Sequence, residues 1–407
     1  MSIIHFMIID RPNEVKRING INKWCLIYGR RKTGKTFLVN NFIENNEYFF
    51  VKTNKNILTK NGNSITYETF IEILQRSLNN NETIVIDEFH RLGTDFFDFL
   101  HFIKKKGKLI LISSTLFLSK KLISEKSALL GLFAEVPIGL INLEDTLRFL
   151  NNYKIPNKNK LELAILLREP ISIDYFNESK LDISRIILSS IKTIPALIGE
   201  IFLEEERELS ATYEGILRAI AIGKIKMGEI SNYLFSRMLI KKDDSSMMSQ
   251  YLNNLLSFGI IKKIEIFNKK RFIYKLASPM TKIFYYGDEK YNISERNVNE
   301  KEILTIINEL MPRIVEDNIR EYFTEKYGLS ESVAEGKDYD IDGCLLKFKK
   351  PEILLEVKWG RIKNEDLIKT NETLSKYESK RKILFVQDKT GMKDSKFNFE
   401  IMDVNDL

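Results

Sequence analysis

Cysteine is nearly absent: Cys25 and Cys344 are the only two, and they lie far apart in the chain. Two thiols so placed give neither a disulfide framework nor a cysteine-ligated zinc site. Histidine is as scarce, and His5, His90 and His101 are too scattered to argue for an imidazole-bound metal. No apolar run approaches the ~20 residues that a helix needs to cross a bilayer. The stretch Ile3 to Ile9 is short, has no basic leader and ends at Asp10-Arg11-Pro12, which argues against a secretory signal. A reducing cytoplasm, with no membrane partner, is the expectation. Charge decides less. A net +7 over 407 residues is compatible with nucleic acid but too modest to argue for it alone. With 43% hydrophobic and 29% charged residues the composition is that of a folded protein, and the length exceeds what one core supports, so about two to four domains are expected.

Against that background one stretch stands out. Gly29-Arg30-Arg31-Lys32-Thr33-Gly34-Lys35-Thr36 fits G-x-x-x-x-G-K-[ST]. An apolar, strand-like run from Trp24 to Tyr28 precedes it, and Phe37, Leu38, Phe42 and Ile43 follow at helical spacing. Strand, glycine loop and helix N-terminus in that order make a phosphate cradle. The glycines let successive N–H groups converge, and the helix adds orphan donors and the positive end of its dipole. Lys35 would reach the β- and γ-phosphates of ATP, and the Thr36 hydroxyl would bind Mg²⁺. Thr83-Ile84-Val85-Ile86-Asp87-Glu88 is a buried-strand pattern ending in two carboxylates. Asp87 would hold the Mg²⁺, and Glu88 would orient and polarise the attacking water. A further strand, Lys108 to Ile112, ends in Ser113-Ser114-Thr115. Ser114 is a candidate γ-phosphate sensor, or equally the N-cap of a helix from Leu116 to Lys121. Asp10-Arg11-Pro12-Asn13-Glu14 opens a helix that is either a wall for the adenine or an ordinary helix start.

Asp10-Arg11 with Glu14, the glycine loop, Ile86-Asp87-Glu88-Phe89 and Ser113-Ser114 together resemble the archaeal AAA+/STAND-type P-loop ATPase family. The resemblance implies an α/β fold: a P-loop (ASCE/AAA+) parallel sheet with a helical lid, then a winged helix, and often a C-terminal restriction-endonuclease-like domain. It implies ATP and Mg²⁺ as cofactors. The expected divisions are residues 1–139 for the ATPase core, 140–208 for the lid, 209–286 for the winged helix, 287–299 for a linker and 300–407 for the nuclease-like domain. One departure stands out: where the family carries Leu-Tyr-Gly-Arg, this chain reads Leu129-Leu130-Gly131-Leu132, so the arginine is missing. Arg148 and Arg168 cannot be assigned its role from the sequence.

Three helical patterns between Thr212 and Gly259, then two strands around Asn268-Lys269-Lys270, match a winged helix. Lys262, Lys263, Lys269, Lys270 and Arg271 suit phosphates, whereas the recognition-helix candidate offers Ser245, Ser246, Ser249, Gln250 and Asn253 and neither arginine nor lysine. DNA binding without sequence preference is one expectation, docking of a protein partner or of a second copy the other. Farther on, Ile341-Asp342 followed by Glu356-Val357-Lys358 resembles the PD-(D/E)XK signature, in an α-β-β-α-β order. Residues two apart on a strand share a face, which puts Glu356 and Lys358 together. Asp342, Glu356 and the Val357 carbonyl would ligate Mg²⁺ or Mn²⁺, and Lys358 would steady the charged phosphate. The family's helical glutamate matches Glu316, with Glu321 as substitute. The expected function is thus an ATP-gated protein acting on DNA with C-terminal nuclease chemistry, or a nucleotide switch that binds protein partners without cutting.

Overall fold

A computed structural model describes residues 8–22, 24–115, 131–176, 182–205, 207–241, 245–392 and 397–407. Its N-terminal layer is built from short apolar runs buried on both faces, the pattern that parallel strands require. They are β1 (Cys25–Tyr28), β2 (Glu47–Val51), β3 (Ile57–Thr59), β4 (Ser64–Ile65), β5 (Thr83–Asp87), β6 (Lys108–Ser113) and β7 (Ala134–Pro137). The sheet order is β4-β3-β2-β5-β6-β1-β7, parallel from β2 to β7, with β3 and β4 antiparallel at one edge. Register aligns Tyr28 with Ser113 and Asp87 with Ile112, so the P-loop, Asp87-Glu88 and Ser114 all leave the sheet at one rim. That carboxyl rim is where open α/β sheets bind ligands. Helices α1 (Pro12–Asn19), α2 (Lys35–Phe42), α3 (Tyr67–Asn79) and α4 (Thr94–Phe102) cover the faces. Strand alternation splits the interior into two clusters, Leu26 and Ile86 on one side of the sheet, Ile27 and Val85 on the other. Strands β3, β4 and β7 have no counterpart in the sequence reading, being too short to show a period. The proposed helix from Leu116 to Lys121, with Leu129 and Leu130, lies outside the described residues.

The next helices, α5 (Leu143–Leu150), α6 (Asn157–Leu167), α7 (Pro170–Ile173), α8 (Ile183–Ser190) and α9 (Ile194–Glu204), form the expected helical region. Every residue of α6 from Leu161 to Leu167 is buried, so it is a central helix and not an amphipathic cover. Contrary to the expectation above, the run Ile183–Glu204, 22 residues whose most apolar 18 have a mean hydropathy of 1.7, is long and apolar enough to cross a bilayer. Ser189, Ser190, Lys192, Thr193 and Pro195 interrupt its sequence and hide it. In the fold, Ile186, Ile187, Ile194, Ile198, Ile201 and Phe202 are buried in the largest core.

Then come α10 (Ala211–Ala221), α11 (Met227–Ser236), α12 (Ser245–Ser257) and the antiparallel hairpin β8 (Ile261–Ile266) and β9 (Phe272–Leu276). One correction follows. Residues 287–299 are not a linker throughout, because α13 (Pro279–Tyr291) runs into them. Gly287 is buried there, and a Cβ would come within 2.8 Å of Ile293 and 3.0 Å of Ile306. The next helix, α14 (Glu300–Tyr327), runs for 28 residues and passes through Pro312, which lies on its exposed side.

The last region adds β10 (Ser332–Glu335), β11 (Asp340–Ile341), β12 (Gly343–Lys347), β13 (Lys350–Lys358), α15 (Asn364–Leu374), β14 (Arg381–Val386) and β15 (Glu400–Met402). The sheet order is β12-β13-β14-β15, antiparallel between the first pair and parallel after it, and α14 packs on β13. β10 pairs parallel with β8, so the hairpin's edge is covered by the C-terminal region. A single apolar cluster runs from Ile9 through α6, α10, α13 and α14 to Val404. These regions share one interior. Arg320, wholly buried on α14, holds the junction, giving hydrogen bonds to Glu331 (2.8 Å), Asp317 (2.7 Å), Glu316 (3.3 Å) and the Asp342 carbonyl (2.9 Å). Arg320→Leu should cost about 3–5 kcal/mol by stranding these acids, measured by urea unfolding. A loss below about 1 kcal/mol would show that the acids find other partners.

Candidate nucleotide site and a second acidic site

Two glycines make the loop possible. Gly34, at the N-cap of α2, has φ of +83°, and a Cβ on Gly29 would lie 2.0 Å from the Ile138 carbonyl oxygen. Lys35 is buried and folded back on the loop, its Nζ donating to the carbonyls of Gly29 (2.9 Å) and Arg30 (2.8 Å). Burial pulls its pKa down to about 8, against the opposing pull of Glu88 and Asp87. Thr33 Oγ1 donates to the Arg30 carbonyl, and Lys32 takes φ of +62° with its side chain exposed. The Thr36 hydroxyl donates to Asp87 Oδ2 at 2.7 Å, and Tyr48 donates to the same oxygen at 2.8 Å. Burial raises the Asp87 pKa. Glu88, at φ of +57°, accepts from Ser114 Oγ at 2.9 Å and lies 3.4 Å from His90 Nδ1. Burial pushes His90 down to about 4, so it is neutral at pH 7. The structure therefore links Thr36, Asp87, Glu88 and Ser114 by hydrogen bonds, with Lys35 in the field of the two acids.

Two separate cavities border the loop. One, of about 880 Å³, is lined by Lys35, Thr36, Glu88, Ser114, Arg31 and Arg91. The other, of about 580 Å³, is lined by Gly29, Arg30, Asn13, Glu14, Lys262 and Glu325. The segment Asp10 to Glu14 brings Asn13 and Glu14 to the lining of this second cavity. Buried Arg11 ties it there, donating to Glu14 (2.8 Å) and to the Thr33 carbonyl (2.8 Å).

The sequence reading missed the acids that hold the arginines. Arg30 makes a buried bidentate pair with Glu169 (2.7 and 2.6 Å). Arg31 pairs with Glu200 (2.7 Å) and Glu204 of α9. The only signal available was the i,i+4 spacing of those two glutamates on one helix face. Arg168 is engaged by Glu321 (3.0 Å), Asn318 and the Ile141 carbonyl, and Arg148 by Asp145 (2.8 Å). Leu132, where the arginine is missing, packs against the sheet's core.

The second site lies where β11 passes into β12. Lys358 donates to Glu356 Oε1 at 2.7 Å, and the Val357 amide donates to Asp342 Oδ2 at 2.8 Å. Glu356 Oε2 is buried with no hydrogen-bond partner. Burial raises the pKa of both acids, and for Asp342 the charges of Glu316 and Glu356 add to it. Glu316 is turned toward Arg320 (3.3 Å) and Lys275 (4.0 Å), and Glu321 points away, to Arg168 and Lys262. Among the described residues no group of three His, Cys, Asp or Glu side chains is set to hold a metal ion. Glu316 therefore does not complete a ligand set here, and Glu321 cannot replace it.

The family profile described as "AAA domain" matches residues 21–136, the sheet and rim just described. Over those residues the chain is similar to an AAA domain. Over 412 aligned positions the chain is 25% identical to an uncharacterized protein of Methanocaldococcus jannaschii, covering 89% of this chain and 90% of that protein. The Walker-type ATPase of Pyrococcus abyssi superposes with a TM-score of 0.51 at 22% identity, over 68% of this chain and 96% of that one, a likeness of fold.

A depressed Lys35 makes nucleotide binding pH-dependent. Phosphate needs the charged ammonium, and above pH 8 the empty loop carries neutral lysine that must first take up a proton. ATP affinity should fall about tenfold between pH 7 and pH 9, read by fluorescence competition. A flat profile would mean that Lys35 stays charged in the empty loop.

Proposed function

We propose that the chain is an Mg²⁺-dependent ATPase whose nucleotide state is passed through a winged helix to a nuclease-like C-terminal region acting on DNA. The observation that carries the ATPase part is the convergence of Lys35, Thr36, Glu88 and Ser114 on one cavity at the sheet's rim, with Asp87 hydrogen-bonded to Thr36 behind them. Thr36 and Asp87, now hydrogen-bonded to each other, would hold Mg²⁺ between them; that ion neutralises phosphate charge as it develops. Lys35 would exchange the Gly29 and Arg30 carbonyls for β- and γ-phosphate oxygens. Glu88, released by Ser114, would take the proton of the attacking water. Glu88→Gln should keep ATP binding and lose at least about a hundredfold in turnover. Turnover within a few-fold of wild type would remove Glu88 from that role.

Helices α10 to α12 with the β8–β9 hairpin support the winged-helix reading, and exposed Lys270 and Arg271 support phosphate contact. The rest of the hairpin's charge is spoken for: Lys262 pairs with Glu321 (2.5 Å), Lys269 with Glu335 (3.2 Å), and Lys263 sits over the Phe272 ring. That commitment favours a second reading, a nucleotide switch whose hairpin docks its own C-terminal region. Cleavage rests on Asp342, Glu356 and Lys358, where two repelling buried carboxylates with an orphan oxygen suit a cation. Asp342→Asn should abolish any Mg²⁺- or Mn²⁺-dependent cutting of duplex, single-stranded or branched DNA while ATP hydrolysis continues. Wild type that cuts none of these with ATP present leaves the switch reading.

A further inference from the structure

The cavity lined by Lys35, Thr36 and Glu88 is rich in guanidinium, for Arg31 and Arg91 line it too. Arg91 is anchored, not waving: it donates to the Val51 carbonyl at 2.9 Å and lies over the Phe50 ring at 5.9 Å. Its Nη2 is thereby held 4.0 Å from Glu88 and 3.9 Å from Glu204. Glu204 also pairs with Arg31, so one carboxylate from α9 lies between two arginines. It sits in the last turn of its helix, where the dipole disfavours an anion. Its Oε2 is buried without a hydrogen-bond partner, and the side chain is only 14% exposed. A carboxylate so badly placed for its own helix, and so well placed between two guanidiniums, does the work of an anion that is not part of the chain.

We propose that Arg31 and Arg91 are the arginines that read the γ-phosphate, supplied in cis, and that Glu204 fills their anion position in the resting chain. The inference rests on the ATPase reading above. In the step concerned, the water oxygen bonds to Pγ, the bond from Pγ to the β,γ-bridging oxygen breaks, and that oxygen keeps the electron pair and leaves with ADP. The water's proton goes to Glu88. Charge grows on the bridging and equatorial oxygens as the bond breaks, and two fixed guanidiniums meet it. Phosphate offers them more charge and bidentate geometry, so it displaces the carboxylate. α9 then keeps only its Glu200 tie to Arg31.

The test is steady-state hydrolysis of Mg-ATP, with ATP binding measured separately, by the full chain and by Arg91→Ala, Glu204→Gln and the double variant. Arg91→Ala should lower kcat by about a hundredfold or more with ATP affinity changed less than about fivefold. Glu204→Gln should raise kcat about three- to tenfold at unchanged Tm, and the double variant should be as slow as Arg91→Ala. A merely structural Glu204 would lower kcat and Tm together, which overturns the proposal. So does an Arg91→Ala chain within twofold of wild type, whatever becomes of Glu204→Gln. Wild type that binds no ATP overturns the ATPase reading itself, and wild type that turns over with all variants unchanged overturns the inference alone.

Discussion

Buried positive charge must be matched by negative charge, and around the P-loop this one requirement arranges the molecule. Lys35 lies in the field of Asp87 and Glu88, Arg30 is locked to Glu169, Arg31 and Arg91 share Glu204, and Arg168 is held by Glu321. These acids come from different places in the chain: the strand end, the start of α7, the end of α9 and the last third of α14. Folding the helical region and the C-terminal region onto the ATPase core is thus partly a matter of bringing counter-charges to the loop. A bound polyphosphate enters the same balance, and any carboxylate it displaces loses its reason to stay.

The consequence reaches beyond the loop because the regions are not beads on a string. The apolar cluster from Ile9 to Val404 is continuous, β10 of the C-terminal region extends the hairpin's sheet, and Glu321 joins Arg168 and Lys262 in the lining of the smaller cavity. Packed interiors of this kind pass on displacements without absorbing them. A shift of α9 or Arg168 would be felt at α14, which also carries Arg320 and faces the Asp342–Glu356 site.

The elements to which the proposal assigns ATPase chemistry were legible because their rules are local. Glycine spacing, a strand ending in Asp87-Glu88 and a strand ending in Ser114 each follow from neighbouring residues, and the structure brings all three to one rim. The shared face of Glu356 and Lys358 was equally legible from a period of two. What escaped was non-local. Nothing near Glu169 or Glu204 in sequence announces an arginine of the P-loop, and Lys262 and Lys269 read as free cations because their partners lie far downstream. β3, β4 and β7 are too short to show a period, and the linker reading failed because Gly287 and its polar neighbours belong to a helix whose packing partner is α14.

The most direct measurement is a calorimetric titration of the wild-type chain with ATP in excess Mg²⁺. The account predicts saturable binding of one ATP per chain, in the range of about 1–100 μM, with ADP filling the same site more weakly. Absence of saturable heat at millimolar ATP, with the chain folded, would contradict it.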